Sequence, residues 1–230
     1  MKIGIIGAME EEVILLKSKM TDTKEWTEAK ADFIEGTLDG IEVVLVRSGI
    51  GKVNAAITTT LLLAKQDIDL VINTGSAGGI GQGLKIGDVV VSSEMAYHDV
   101  DATVFGYVIG QVPQMPARYV ADTGIVEKVM EAAKKASLTP VKGLIATSDS
   151  FIAGKEATTK IIKNFPDVLA AEMEGAAIAQ VCHQFDVPFV IVRAMSDTAD
   201  EEAGVTFDEF IIEAGKKSAL MVMELIHDLV

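Results

Sequence analysis

Short apolar runs alternate with helix-patterned segments along almost the whole chain, and this alternation constrains the fold more than any other feature. KIGIIG (2–7), LVINTG (70–75) and VPFVIVRAMSD (187–197) read as buried strands, and the segments between them have a helical pattern. Asp39-Gly40 lies between two further strand-like runs and predicts a tight hairpin, which makes the sheet mixed. We therefore expect an α/β fold of three αβα layers, with a central mixed, mostly parallel twisted sheet, in a single domain spanning residues 1–230.

Composition excludes several classes of protein. The net charge of −14 argues against a nucleic-acid partner, because a phosphate backbone requires a basic face. Cys182 is the single cysteine, so no internal disulfide can form, which suits a reducing compartment. The N-terminal residues lack the long apolar region of a signal peptide, and no run approaches the ~20 apolar residues of a membrane span. We expect a cytoplasmic protein with no membrane partner.

Polar side chains collect directly after the predicted strands. In open α/β sheets, ligands bind beyond the carboxyl ends of the strands, so these positions are candidates for a site. They hold carboxylates, one arginine, serines and an aromatic ring: Ala8 to Glu12; Gly75 and Ser76; Asp149 to Ile152; Glu172 to Glu174; and Arg193, Ser196 and Asp197. They include no Cys, no His and no metal-ligand spacing, so we expect no metal.

The segment LAAEMEGAAIAQV (169–181) places Glu172 and Glu174 among apolar residues. A buried carboxylate costs several kcal/mol unless it is paired or hydrogen-bonded, so the two side chains either face water or belong to a pocket. They share one face if the segment is extended and diverge if it is helical. Other candidates also have structural interpretations: Asp197 as a turn residue, Phe151 as core, and Glu10 and Glu11 as partners of a helix dipole.

The sequence does not match the common nucleotide-binding, catalytic-dyad or metal-binding motifs. No strand is followed by the G-x-G-x-x-G of a dinucleotide site, and Gly51-Lys52 is followed by Val53 where a P-loop needs Ser or Thr. Cys182 and His183 point about 100° apart if they lie on a helix, so they do not predict a catalytic dyad. The acidic stretch 98–101 is more typical of a solvated loop than of a metal site.

Several segments together resemble one known family. IGIIGAMEEEV, RSGIGKVNAA, VINTGSAGG, YHDVDATVFGYVIGQVP, SDSFI, AAEMEGAAIA and VRAMSDTAD recur in this order in the 5′-methylthioadenosine/S-adenosylhomocysteine nucleosidases, which belong to the purine nucleoside phosphorylase superfamily. The resemblance implies a nucleoside phosphorylase-like fold. It also implies hydrolysis of the N-glycosidic bond of methylthioadenosine, S-adenosylhomocysteine and 5′-deoxyadenosine, which releases adenine. The implied partner is a small-molecule nucleoside, with no cofactor.

The resemblance also implies roles for individual residues. Asp197 would be the general acid that protonates the purine, and Glu12 would hold and activate the attacking water with help from Arg193 and Ser76. Glu174 would bind the ribose hydroxyls. Phe151 would stack on adenine, the main chain of Ile152 would read the base edge, and Glu172 would support the site. The remaining expected substrate contacts are Ala8, Met9, Ile50, Gly78, Met173, Ser196 and Phe207.

Residues 97–117 resemble a loop that relatives lend to the partner subunit, so the resemblance implies a homodimer in which this loop completes the neighbouring site. Phe105, Tyr107 and Pro113 match the family pattern, whereas Ala102 departs from it, because relatives often have a larger apolar residue there.

Two alternatives stay open. A purine nucleoside phosphorylase would share the fold, but phosphate needs cations, and the chain has three arginines, with Asn73 where phosphorylase relatives carry one. A nucleoside sensor without catalysis would keep the apolar residues and would not need Glu12 and Asp197.

Overall fold

The computed structural model describes residues 1–200 and 202–229, and within them the chain forms ten strands and six helices. The strands are β1 (Lys2–Gly7), β2 (Thr21–Glu28), β3 (Ala31–Leu38), β4 (Ile41–Arg47), β5 (Leu70–Gly79), β6 (Val89–Tyr97), β7 (Tyr119–Val120), β8 (Pro140–Thr147), β9 (Val168–Glu172) and β10 (Phe189–Asp197). The helices are α1 (Glu10–Lys19), α2 (Lys52–Lys65), α3 (Thr123–Lys135), α4 (Lys155–Asn164), α5 (Gly175–Gln184) and α6 (Ala203–His227).

All ten strands belong to one mixed sheet. Its order is β10-β6-β8-β9-β5-β1-β4-β3-β2, and the short β7 pairs with β6. Parallel pairs join β1 to β4 and β5, β5 to β10, and β8 to β6 and β9, whereas β2, β3 and β4 form an antiparallel meander. The predicted hairpin turns at Asp39-Gly40, where both residues have positive φ, as a type I′ turn requires.

The sheet closes on itself at one end, because β10 pairs with both β5 and β6. β5 and β9 run antiparallel and pair where their final residues meet, Gly78 with Ala171 and Gly79 with Ala170. The strands β5, β9, β8, β6 and β10 therefore form a ring. This closure brings the C-terminal ends of β5, β9 and β10 together.

Helices cover both sides of the sheet, which confirms the α/β class. α6 packs on β5 and β10 and against α1 and α3, while α2 packs against α5. Every residue of β10 is buried, as are Ile3, Ile5 and Ile6 of β1, which explains the apolar runs at 189–192 and 3–6. Across residues 1–200 and 202–229, no helix has the length and apolar character needed to cross a membrane.

Two local features differ from the sequence-based expectation. The glycine-rich segment after Thr74 predicts a loop, yet β5 continues to Gly79. A Cβ atom on Gly75 would lie 2.6 Å from Glu12 Oε1, and one on Gly78 would lie 2.9 Å from Asp197 Oδ1, so these glycines let a strand pass directly beside two carboxylates. β2 has a polar, largely exposed sequence without an apolar alternation, and we did not anticipate it.

Candidate active site

A cavity of about 460 Å³ opens at the end of the sheet where β5, β9 and β10 finish. Its walls are mostly apolar and carry a few carboxylates and hydroxyls. The lining residues are Ala8, Met9, Glu12, Ile50, Ser76, Ala77, Gly78, Ser150, Phe151, Ile152, Ala171, Glu172, Met173, Glu174, Ser196, Asp197, Gly204, Phe207 and Asp208.

Glu12 lies in the first turn of α1 and is 4% exposed. Its Oε2 accepts hydrogen bonds from the amides of Ala8 at 2.7 Å and Met9 at 3.2 Å. Its Oε1 accepts from the Ser76 amide at 3.0 Å and the Ser76 hydroxyl at 3.3 Å. Four hydrogen bonds from N–H and O–H donors therefore fix the orientation of this side chain at the cavity.

Arg193 is 1% exposed and lies behind the cavity wall rather than in the lining. Its Nη2 donates to Glu172 Oε2 at 2.5 Å and to Asn73 Oδ1 at 2.6 Å, and it lies 3.7 Å from Glu174 Oε2. Burial lowers the pKa of Arg193, but the neighbouring carboxylates, Glu172 first, outweigh that effect and raise it, so the guanidinium keeps its charge. Its Nε is buried without a hydrogen-bond partner.

Glu172 and Glu174 lie where the chain passes from strand to helix, and both line the cavity. The chain is extended up to Glu172 and turns helical at Gly175, and both glutamates are buried. Glu172 accepts from Arg193, from the Thr147 hydroxyl, and from the amides of Glu174 and Gly175 at 3.0 and 2.7 Å. Glu172 therefore stabilises the start of α5 and neutralises the buried arginine, which fits the supporting role expected of it.

The carboxyl group of Glu174 has fewer hydrogen-bond donors around it than that of Glu172. Its Oε1 accepts from the amide of Gly51, the residue before α2, at 2.8 Å. Burial and then the charge of Glu172 raise its pKa from 4.5 to about 8, against the opposing effect of Arg193. Gly51 has φ 96° and ψ 161°, a conformation that is essentially restricted to glycine, so this donor depends on the residue type.

Asp197 ends β10 and is 1% exposed. Its Oδ1 accepts from the amide of Ala199 at 2.8 Å and its Oδ2 pairs with the Ser196 hydroxyl at 2.9 Å. Burial raises the pKa of Asp197 even though both hydrogen bonds lower it. A carboxyl that retains its proton more strongly than usual, beside an apolar cavity, can act as a proton donor.

Two aromatic rings form part of the cavity wall. Phe151 and Phe207 meet edge to face, with ring centroids 5.7 Å apart, and Phe151 is 48% exposed. A ring that is half exposed at the mouth of a cavity offers a face on which a planar base can stack.

The structure brings most of the predicted site residues into this one cavity, with three exceptions besides Arg193. Phe105, Tyr107 and Pro113 do not line it and lie in the irregular segment between β6 and β7, where Phe105 is 78% exposed. Ser150, one of the candidates at the strand ends, also lines the cavity. Sequence reasoning missed Ala77, Ala171, Gly204 and Asp208. Three of them adjoin predicted residues along the chain, which is the signal that could have found them; Gly204 has no such signal.

The described part of the chain contains no group of three His, Cys, Asp or Glu side chains placed to hold a metal ion. Cys182 is buried, and burial raises its pKa to about 12, so it stays a thiol at neutral pH.

Comparisons with known proteins agree on one family. A sequence profile described as "Phosphorylase superfamily" matches residues 2–227. The 5′-methylthioadenosine/S-adenosylhomocysteine nucleosidase of Shewanella loihica is 54% identical over 230 residues, which is 100% of both chains. The structure is similar to that of the Neisseria meningitidis enzyme of the same name in complex with methylthio-immucillin-A, at a TM-score of 0.97 and 49% identity over 99% of each chain. It is also similar to the Colwellia psychrerythraea enzyme in complex with adenine, at a TM-score of 0.97 and 48% identity over 100% of this chain and 96% of the other.

The raised pKa of Glu174 gives a prediction for stability. The folded state holds this proton more tightly than the unfolded state, so its stabilising effect is complete below about pH 4.5 and is lost as the pH rises through about 8. The melting temperature of the Glu174→Gln variant should therefore depend less on pH across this interval than that of the natural protein. Thermal unfolding followed by circular dichroism across this range measures the difference. Glu209→Gln, at an exposed position of α6, is the control, and parallel curves for the natural protein and Glu174→Gln would contradict the prediction.

Proposed function

The chain belongs to the phosphorylase superfamily and, within it, to the 5′-methylthioadenosine/S-adenosylhomocysteine nucleosidases, and we propose that Asp197 and Glu12 carry out its hydrolytic reaction. The substrates are the two nucleosides in that name. The bond that breaks joins N9 of adenine to the anomeric carbon of the ribose, and the products are adenine and methylthioribose or S-ribosylhomocysteine. The same chemistry extends to 5′-deoxyadenosine, whose 5′ position is also uncharged.

The observation that carries the proposed mechanism is the difference between two buried carboxyl groups in one cavity. Glu12 accepts four hydrogen bonds from N–H and O–H donors, whereas Asp197 has two partners and a pKa that burial raises. They lie against Gly75 and Gly78 of β5, and both carboxyl groups line the one cavity of about 460 Å³. Hydrolysis with inversion requires an acid and a base on opposite sides of the scissile bond, with room for a water molecule beside the base.

The steps follow from this arrangement. Asp197 donates its proton to N7 of the purine while the electrons of the glycosidic bond move to the base. Glu174, at the hydroxyl side of the ribose, offsets the positive charge that develops on the sugar ring. Water held by Glu12 attacks the anomeric carbon from the opposite face and gives its proton to Glu12. Arg193 and Ser76 keep Glu12 and its surroundings in place.

The substrate fits the remaining walls. Phe151 and Phe207 enclose the adenine, and the main chain of Ile152 pairs with its edge. Met9, Ile50 and Met173 contact the ribose and the thioether, which carry no charge and need no polar partner.

We also propose a homodimer in which residues 97–117 complete the neighbouring site. Val104 and Phe105 are 85% and 78% exposed, and Val53 and Ile57 on α2 are 68% and 44% exposed. Lys52 on α2 donates to Asp99 at 2.7 Å, and this contact links α2 to residues 97–117. Exposed apolar patches of this kind mark interaction surfaces. The cytoplasmic location expected from composition stays a prediction.

The reaction class is tested by adenine release from methylthioadenosine in the presence and absence of phosphate. We expect the same rate in both, with methylthioribose as the sugar product, because a water molecule is the nucleophile. Chromatography of the products distinguishes the outcomes. Release that requires phosphate and yields a sugar phosphate would identify a phosphorylase, and tight binding without release would identify a sensor.

Replacing the proposed acid by its amide removes the transferable proton and keeps the shape. The Asp197→Asn variant should therefore lose turnover by ~10²–10⁴, equivalent to ~3–5 kcal/mol of barrier. Steady-state kinetics measures the loss, and adenine binding by calorimetry checks that the pocket is intact. Asp67→Asn, at an exposed position outside the cavity lining, is the control and should retain full activity. Near-normal turnover of Asp197→Asn would remove Asp197 from the acid role.

The lent loop is tested with Phe105→Ala. If this ring covers the thioether in the partner's site, its removal should raise KM for methylthioadenosine about tenfold, the scale of one lost aromatic contact. Ile14→Ala, at an exposed position of α1, is the matched control. Sedimentation should show a particle of twice the 24.4-kDa chain. A fully active monomer, or an unchanged KM for Phe105→Ala, would contradict this arrangement.

A further inference from the structure

Helix α6 packs at Gly215 against the first turn of α1, the turn that carries Glu12. A methyl group on Gly215 would overlap the carbonyl oxygen of Glu11 and would lie 3.0 Å from the carbonyl carbon of Glu11 and 3.4 Å from Cα of Glu12. The obstacle is the main chain of α1, not the end of a flexible side chain. The distance between α6 and the first turn of α1 is therefore one that a side chain at position 215 would not permit.

One turn further along α6, Ser218 contacts strand β5. Ser218 is fully buried, and its hydroxyl accepts from the amide of Gly75 at 3.0 Å and pairs with the Thr74 hydroxyl at 2.5 Å. Gly75 faces Glu12, since a Cβ atom there would lie 2.6 Å from Glu12 Oε1. α6 thus contacts both the helix turn that carries Glu12 and the strand that carries Ser76.

The hydrogen bonds of Glu12 span these two elements. Oε2 binds amides that precede α1, and Oε1 binds the amide of Ser76 on β5 at 3.0 Å. A shift of α1 relative to β5 by a few tenths of an ångström would lengthen one set of bonds. Close-packed interiors transmit such shifts because they contain little free space to absorb them.

We propose that Gly215 is a positioning residue for Glu12, with Ser218 fixing the facing strand, so that the C-terminal helix sets the place of the attacking water. The inference rests on the proposed function, in which Glu12 holds that water. Gly215 touches no substrate, and its effect passes through the main chain of residues 11 and 12.

The experiment compares Gly215→Ala with Gly36→Ala. Gly36 is a matched control, because its Cβ would lie 2.7 Å from the carbonyl oxygen of Thr21 in the β2–β3 hairpin, whose residues do not line the cavity. Both variants should melt at a lower temperature than the natural protein. Gly215→Ala should lose kcat by about 10- to 100-fold, the scale of a misplaced reacting group, while Gly36→Ala should keep it. KM for methylthioadenosine and Kd for adenine should change by less than about threefold in Gly215→Ala, because the base pocket is not displaced.

Several outcomes would overturn the proposal: unchanged kcat in folded Gly215→Ala, an equal loss of kcat in Gly36→Ala, or KM and adenine Kd rising together with a fall in kcat. If Gly215→Ala does not fold, Ser218→Ala decides, since it removes the hydroxyl's two hydrogen bonds, to Thr74 and Gly75, without adding volume. It should lower kcat about threefold to tenfold at constant adenine affinity, the scale of a lost buried hydrogen bond, and constant kcat there would overturn the proposal.

Glu12→Gln separates this inference from the proposed function. If Glu12→Gln keeps normal turnover, Glu12 does not activate water and both ideas fail. If Glu12→Gln loses turnover while Gly215→Ala retains it, the mechanism holds and only the positioning role of α6 is wrong.

Discussion

The buried guanidinium of Arg193 joins three parts of the chain, and the arrangement of the site depends on this contact. Arg193 comes from β10, its partners Asn73 and Glu172 come from β5 and β9, and Glu174 lies 3.7 Å away at the start of α5. Taking a charge out of water costs several kcal/mol unless partners replace the solvent, so Arg193 can be buried only where these elements meet. Because Glu172 also accepts the first amides of α5, the position of Arg193 determines where Glu174 stands.

The closure of the sheet explains why so much polar chemistry gathers in one apolar cavity. In an open sheet the strand ends lie side by side along one edge. Here the last residues of β5 also pair with the end of β9, and β10 pairs with both β5 and β6. Backbones that approach this closely leave no room for side chains, and glycines occupy the positions where β5 passes Glu12 and Asp197. The cavity therefore combines hydrogen-bonded carboxyl groups with mostly apolar walls, and a low dielectric strengthens each electrostatic contact inside it.

Much of this could be predicted from the sequence. Alternating apolar and helical segments predicted the α/β class, and the residues after each strand predicted most of the cavity, because side-chain chemistry at strand ends is visible in sequence. The family resemblance is confirmed by the comparisons, whereas the roles of individual residues stay predictions. Main-chain contacts could not be predicted: the amide of Gly51 that binds Glu174 leaves no mark in side chains. The polar strand β2 was missed because its partners, rather than its own pattern, make it a strand.

α6 carries Phe207 at the cavity wall and Gly215 against α1, eight positions apart, or about 12 Å along a helix. A single inserted or deleted residue between them would rotate one by about 100° relative to the other, so that either the aromatic ring or the glycine would face the wrong neighbour. The length of this stretch is therefore under stronger constraint than most of its individual side chains. Related sequences should tolerate substitutions at its exposed positions far more readily than any change in its register.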